Sequence, residues 1–210
     1  MQLLYFNVRN FKAVNELFGI DTGDSVLRTI YKNLRSSSLK PCVVARVEAD
    51  QFTCLVEKKN LDFDALSGLC EWNFTKKGKT MHIFCGCGIF FVENKEMSIN
   101  GMIDRAKLAK KYITDEYVKP YNIYDASMKS YYIDRAELAG ELRNGLAQEQ
   151  FKVYYQPVVD AKTGEIRSAE ALIRWVHPKR GFVSPAIFIP ALEESGHISE
   201  LDFCVTKKSI

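Results

Sequence analysis

The longest apolar run in the chain lies at residues 83–92, and Gly86 and Gly88 sit inside it. The run is about half as long as a membrane-spanning helix requires. It therefore reads as the heart of a long strand over residues 81–92. Glycine within a strand packs nothing of its own and marks a place where another backbone approaches closely. The segments around this strand set the fold class. Gln2–Val8 reads as a short apolar strand. Phe11, Val14 and Phe18 form one helical stripe; Val26, Leu27, Ile30 and Leu34 form another. These stripes predict helices over Phe11–Phe18 and residues 25–34, with Thr22, Gly23 and Asp24 as capping residues before the second. Residues 43–47 and 52–56 read as strands around a tight turn. Residues 63–72 and 99–112 read as helices, and residues 121–124 as a last short strand. The order predicts an α+β architecture, a sheet covered by helices.

A second group of elements follows. Residues 134–148 read as a helix with Leu138, Leu142 and Leu146 on one face. Phe151–Val159 and residues 166–176 read as strands joined by a turn at Lys162, Thr163 and Gly164. Pro185–Ser195 and residues 199–208 look helical. The 210 residues, 47% hydrophobic and 26% charged, suit one or two globular domains. A net charge of +3 is too small to argue for a nucleic-acid or membrane partner. Gln2–Val8 lacks the basic start and cleavage site of a signal peptide. Six cysteines are scattered along the chain. Cys85 and Cys87 stand close, but no second close pair completes a zinc pattern. Reduced thiols in a cytoplasmic protein are the expectation. His82, His177 and His197 have no partners at metal-ligand spacing.

The densest motif lies in the second half. Phe151–Val159 and Asp160 precede Glu170, Ala171 and Leu172. Arg174, Trp175, His177, Pro178, Gly181, Pro185, Phe188, Ile189, Pro190, Glu193 and Gly196 follow in order. This succession resembles the opening of an EAL domain, the family that hydrolyses cyclic di-GMP, over residues 139–205. The resemblance implies the first strands and helices of a TIM-like barrel. It implies Glu170 as a metal ligand at a strand end and Gln156, Leu172 and Arg174 as substrate contacts. An arginine there would meet phosphate through its planar fork of donors. The family's phosphodiester hydrolysis uses two ions, Mg²⁺ or Mn²⁺. Its other ligands are an asparagine, a second glutamate, a paired Asp-Asp, a lysine and a later glutamate, all expected beyond Ile210. No metal is therefore expected to be bound by this segment alone. The plainer alternative makes Glu170 a surface carboxylate with Arg174 as its cross-strand partner.

The first half carries a second resemblance. Phe11, Lys12, Asn15, Gly19, Gly23, Asp24, Leu27, Arg46, Phe52, Asp104 and Ala106 match, in order, a GGDEF domain. That family joins two GTP molecules into cyclic di-GMP, and the match runs over residues 3–125. The family's first strand ends on two aspartates; Asn7 and Arg9 stand there. Its signature turn of two glycines, an acidic residue, Glu and Phe reads Glu48, Ala49, Asp50, Gln51, Phe52. A hard cation prefers charged oxygen ligands, so only Asp50 remains as a weak metal ligand. Glycines at that turn let backbone approach phosphate, whereas Glu48 adds bulk and negative charge. The Arg-x-x-Asp inhibitory motif, expected at residues 39–42, is absent.

The resemblance also implies guanine recognition by Asn15 and Asp24 and a phosphate contact at Lys111. Against these stand a helix cap for Asp24, a polar helix position for Asn15, and a solvated face for Lys107, Lys110 and Lys111. The organisation implied is a degenerate GGDEF domain at 1–125, a linker helix at 126–148 and the start of an EAL domain at 149–210. The family's leading helix, and any sensor, would precede Met1. The leading expectation is an inactive GGDEF module regulating a cyclic di-GMP phosphodiesterase. Cyclic di-GMP and GTP are its expected ligands. A homodimer is expected, with membrane attachment only through an upstream domain. The alternatives are a non-catalytic nucleotide-binding receptor or dimerisation scaffold and, third, an active diguanylate cyclase.

Overall fold

The computed structural model describes residues 1–76, 78–94 and 96–209. Two compact units emerge, Met1–Lys129 and Ser130–Ile210. The first is built from β1 (Gln2–Val8), α1 (Phe11–Phe18), α2 (Ile20–Arg35), β2 (Val43–Glu48), β3 (Gln51–Val56), α3 (Phe63–Cys70), β4 (Glu71–Lys76), β5 (Lys79–Phe91), α4 (Ile99–Lys111) and β6 (Tyr121–Ile123). The sheet order is β2-β3-β1-β5-β4, with β6 added parallel to β5. All other pairings in this sheet are antiparallel.

β1 is central and buried along nearly its whole length. Leu4, Phe6 and Val8 point into a core shared with Val26, Ile30 and Leu34 of α2, Phe52 and Val56 of β3, and Leu66 of α3. Leu3 and Tyr5 point the other way, against Met102, Ile103 and Ala106 of α4. This alternation, period 2 on the strand and near 3.6 on the helices, makes a layered α+β unit. Gly88 performs the role its sequence position suggested. A methyl group there would lie 1.8 Å from the Ala106 carbonyl oxygen, so α4 rests directly on the strand.

Several boundaries differ from the sequence reading. α2 begins at Ile20, with Gly19 as its cap residue at φ 82°. Thr22, Gly23 and Asp24 are thus inside the helix. Gly23 is tolerated there because the Asn15 side chain occupies the space; a methyl would lie 1.9 Å from its Oδ1. The helix predicted over 63–72 ends at Cys70, and β4 follows as the partner of the first half of β5. Trp72, Phe74 and Lys76 are half-buried while Glu71, Asn73 and Thr75 are exposed, a period-2 pattern.

The division between units falls within α5 (Ala126–Ala147), which starts before the predicted residue 134. The second unit continues with β7 (Phe151–Val159), β8 (Ile166–His177), β9 (Gly181–Val183), α6 (Pro185–Ser195) and α7 (Ile198–Ser209). Its antiparallel sheet has the order β7-β8-β9; β9 had no counterpart in the sequence reading. The β7–β8 turn forms where expected. Asp160 Oδ1 accepts from Lys162 N at 2.9 Å and Thr163 N at 3.1 Å, and Gly164 takes φ 73°. Phe151, Trp175 and Phe188 pack with Leu138, Leu142, Leu192 and Leu201 into this unit's core. These strands and helices form part of a barrel wall, not a closed barrel.

Candidate nucleotide and metal sites

The signature turn of the first unit joins β2 to β3. Ala49, at the second glycine position, adopts φ 41°. A left-handed alanine costs about 1 kcal/mol relative to its ordinary regions. Arg46 Nε steadies the turn by donating to the Ala49 carbonyl at 2.6 Å. Asp50 faces the end of β1, where Asn7 Nδ2 donates to Asp50 Oδ2 at 3.0 Å. Burial lifts the Asp50 carboxyl above the ordinary aspartate range, outweighing its backbone hydrogen bonds and the attraction of Lys110 and Arg46. An amide donor on its oxygen and burial that disfavours its anion both oppose a hard cation.

Beyond Asn7 lies a pocket of about 680 Å³, lined by the end of β1, Lys110 and residues 113–117. Arg9 is in its wall. Its guanidinium lies 4.8 Å from the centre of the Tyr117 ring and 3.9 Å from Glu116 Oε2. Lys110 Nζ is 2.9 Å from Glu116 Oε1. Two cations, Arg9 and Lys110, thus stand in the pocket wall beside the Asn7 amide, and this donor set does not fit Mg²⁺. No three His, Cys, Asp or Glu residues converge as a metal site among the described residues. The lysine that lines this pocket is Lys110. Lys111, singled out from sequence, is exposed on α4 and outside the pocket lining.

Asn15 and Asp24 lie on facing helices of the α1–α2 hairpin. Asn15 Oδ1 covers Gly23, the neighbour of Asp24. Asp24 is an exposed residue inside α2, not its cap, and lines a pocket of about 420 Å³ with Leu27, Arg28, Tyr31, Lys32, Arg46 and Phe52. Asn15 is not part of that lining.

In the second unit the strand register gathers four singled-out residues on one face. Gln156 stands opposite Glu170, Tyr154 opposite Leu172 and Lys152 opposite Arg174. Successive side chains alternate across a strand, so Glu170, Leu172, Arg174 and Gln156 share a face. Ile173 and Trp175 point into the core. Arg174 does not pair with Glu170; it donates to the Ile173 carbonyl at 2.9 Å and faces Lys152. Glu170 is exposed and has no ion pair among the described residues. Its carboxylate is open to a cation, but it is a single ligand.

The sequence reading missed a clasp at the other end of β8. His177 is buried and its Nε2 pairs with Glu141 Oε2 of α5. His177 Nδ1 accepts from Lys179 N and Arg180 N, both at 3.2 Å. Arg180 reaches Asp134 Oδ1 at 3.0 Å and also bonds Glu137. Asp134, Glu137 and Glu141 at helical spacing were the available signal.

Comparison with known proteins agrees with this architecture. Residues 1–111 match the family model "Diguanylate cyclase, GGDEF domain", and residues 139–210 match "EAL domain". The chain is 26% identical over 204 residues to the bifunctional diguanylate cyclase/cyclic di-GMP phosphodiesterase MucR of Pseudomonas aeruginosa, covering 95% of this chain and 30% of that one. It is 25% identical over 215 residues to the cyclic di-GMP phosphodiesterase NbdA of the same species, covering 100% of this chain and 27% of that one. The chain thus spans only 25–30% of the length of the first curated relatives it matches. Among solved structures, the S helix-GGDEF-EAL region of Vibrio cholerae LapD, bound to c-di-GMP, superposes with a TM-score of 0.54 at 13% identity. That match covers 99% of this chain and 50% of that one. The chain belongs to the GGDEF domain family, and its second half matches the opening of the EAL domain family.

Proposed function

We propose that the first unit is a GGDEF module without cyclase activity and that it regulates a cyclic di-GMP phosphodiesterase whose EAL domain opens in the second unit. The observation that carries this reading is the Asn7–Asp50 hydrogen bond with the Arg9 cation beside it. Joining two triphosphates needs carboxylates that gather metal ions; here one carboxylate is bonded to an amide and its neighbour is a positive charge. Incubation with radiolabelled GTP and Mg²⁺ or Mn²⁺, followed by chromatography, should give no cyclic di-GMP above a protein-free control. Product above that control overturns the reading.

For the EAL portion, the shared face of Gln156, Glu170, Leu172 and Arg174 supports substrate and metal contact. Glu170 would hold Mg²⁺ or Mn²⁺ together with ligands from the rest of an EAL domain. The bound metal would supply Lewis acidity and an activated water. Arg174 would bind phosphate, and Gln156 and Leu172 would position the substrate. In a protein carrying the complete EAL domain, Glu170→Ala should abolish hydrolysis of cyclic di-GMP, while Arg174→Ala should chiefly raise KM. Undiminished turnover in Glu170→Ala would assign the metal to another carboxylate. GTP is the proposed regulatory ligand through Asn15 and Asp24, and homodimerisation in the cytoplasm is the proposed setting. Among the described residues, no helix is long and apolar enough to cross a membrane.

A further inference from the structure

We infer that Lys152 is a further substrate-binding residue of the second unit, seating a phosphate of cyclic di-GMP together with Arg174. The inference rests on the reading that Gln156, Glu170, Leu172 and Arg174 form the substrate face. Glu170 tests that reading by turnover, whereas Lys152 is tested by affinity without metal.

Three observations converge. First, Lys152 stands directly opposite Arg174 in the β7–β8 ladder. Opposed residues hold their Cβ atoms about 4.5–5.5 Å apart, and like charges so placed destabilise the pair. Folding alone gives no reason to keep two cations there. Second, neither cation is neutralised. Arg135, Arg143, Arg167 and Arg180, the other arginines of this unit, each meet a carboxylate. Among the described residues no carboxylate pairs with Arg174 or Lys152. Arg174 spends Nη1 on the Ile173 carbonyl at 2.9 Å, which leaves the rest of its fork free to donate, and Lys152 is exposed. Third, the face is graded along the strands. The cation pair is followed by Tyr154 opposite Leu172, and then by Gln156 opposite Glu170. A rise of about 3.3 Å per residue sets the two end pairs about 13 Å apart. The carboxylate assigned to the metal thus stays clear of the cations, and an apolar step lies between them. Arginine with its fork and lysine as a point charge can engage different oxygens of one phosphate.

The affinity for cyclic di-GMP is measured by calorimetry in excess EDTA, so that no metal-dependent turnover intervenes, on a protein carrying the complete EAL domain. Lys152→Ala should weaken binding about tenfold, as the loss of one charge-assisted hydrogen bond would. Lys152→Arg should restore most of it. Affinity should fall more steeply with added salt in the wild type and in Lys152→Arg than in Lys152→Ala. In the free protein the sign reverses. Lys152→Ala should raise the urea midpoint of peptides from the second unit, because it relieves the repulsion at Arg174. A lysine with a merely structural role would lower midpoint and affinity together, and that outcome overturns the inference. Unchanged or tighter binding by Lys152→Ala also overturns it, and leaves the substrate face standing as long as the wild type binds. Failure of the wild type to bind cyclic di-GMP overturns both.

Discussion

Gly88→Ala and Gly68→Ala make the same chemical change in one unit and should have opposite signs. Gly88 lies in β5 beneath α4, where an added methyl would meet the Ala106 carbonyl oxygen at 1.8 Å and Lys110 N at 2.7 Å. Real Cβ atoms essentially never come nearer than 3.0 Å, so the helix must retreat by roughly 1 Å. The obstructing atoms are helix backbone and cannot rotate away as a side chain would. Lifting α4 loosens Met102, Ile103 and Ala106 from Leu3, Tyr5 and Phe90. A gap of that size forfeits a quarter to a half of each dispersion contact it opens. Overpacking of this kind costs about 3 kcal/mol, and the reduced freedom of the unfolded chain returns about 0.5–1 kcal/mol. The net loss should be about 2–3 kcal/mol. Gly68 is exposed within α3 with nothing within 4 Å of an added methyl. Alanine there should stabilise by about 0.5–1 kcal/mol. Urea titration read by hydrogen exchange and mass spectrometry scores peptides of the first unit separately from the second. With a slope of about 1–3 kcal/mol per molar urea, the Gly88→Ala midpoint should drop by about 1–2 M. A loss below about 1 kcal/mol, or the same sign for both variants, would refute the close approach of helix and strand.

The remaining predictions concern titration and reactivity. Burial raises the folded-state Asp50 carboxyl above its unfolded value, so its contribution is most favourable at acid pH, where both states are protonated, and is lost as pH rises through the folded value. Asp50→Asn should therefore raise the urea midpoint at pH 7 and not at about pH 3; a lower midpoint at pH 7 would mean that Lys110 and Arg46 outweigh burial. Burial pushes the Cys54 and Cys70 thiols up to about 12, and Cys85 and Cys87 well above the usual range, while Cys42 is exposed. Iodoacetamide on the native protein should label Cys42 and spare these four until urea unfolds the unit, as peptide mass mapping would show. Native-state labelling of Cys70 or Cys87 would contradict their burial. The side chain of Cys204 lies outside the described residues.

What could be read from sequence was whatever depended on short-range pattern. The stripe Val26, Leu27, Ile30 and Leu34 located α2, and the runs Phe151–Val159 and 166–176 located β7 and β8, whereas the common face of Gln156, Glu170, Leu172 and Arg174 comes from the register of the two strands. The turn chemistry of Asp160 and Gly164 set the β7–β8 hairpin. Signals that relied on a distant partner failed. Gly23 looked like a helix boundary because the Asn15 side chain that fills the space above it lies on another helix. β4 has no counterpart in the sequence reading, whose helix over 63–72 takes in only Glu71 and Trp72, because its alternation is short and depends on pairing with the first half of β5. Lys110 and Lys111 are adjacent letters. Only the seating of α4 on Gly88 and Gly86 decides which one enters the pocket. Glu116 carries no local signal, since a carboxylate in a polar loop ordinarily faces water.

In the first unit the fold around the signature turn is held independently of the residues that the turn contains. The register that brings Asn7 opposite Gln51 is set by Phe6 opposite Phe52, and both phenylalanines are 1% exposed. A one-residue slip would turn those rings to the wrong face, so the core holds the turn in place whatever the turn contains. The strain of Ala49 at positive φ is small beside that core. The electrostatics at the end of β1 obey a separate constraint. In a cyclase, carboxylates there are balanced by metal ions. Here Arg9 and Lys110 face Glu116, and Asn7 is neutral and bonds Asp50. Positive charge is held in covalent side chains and balanced within the chain.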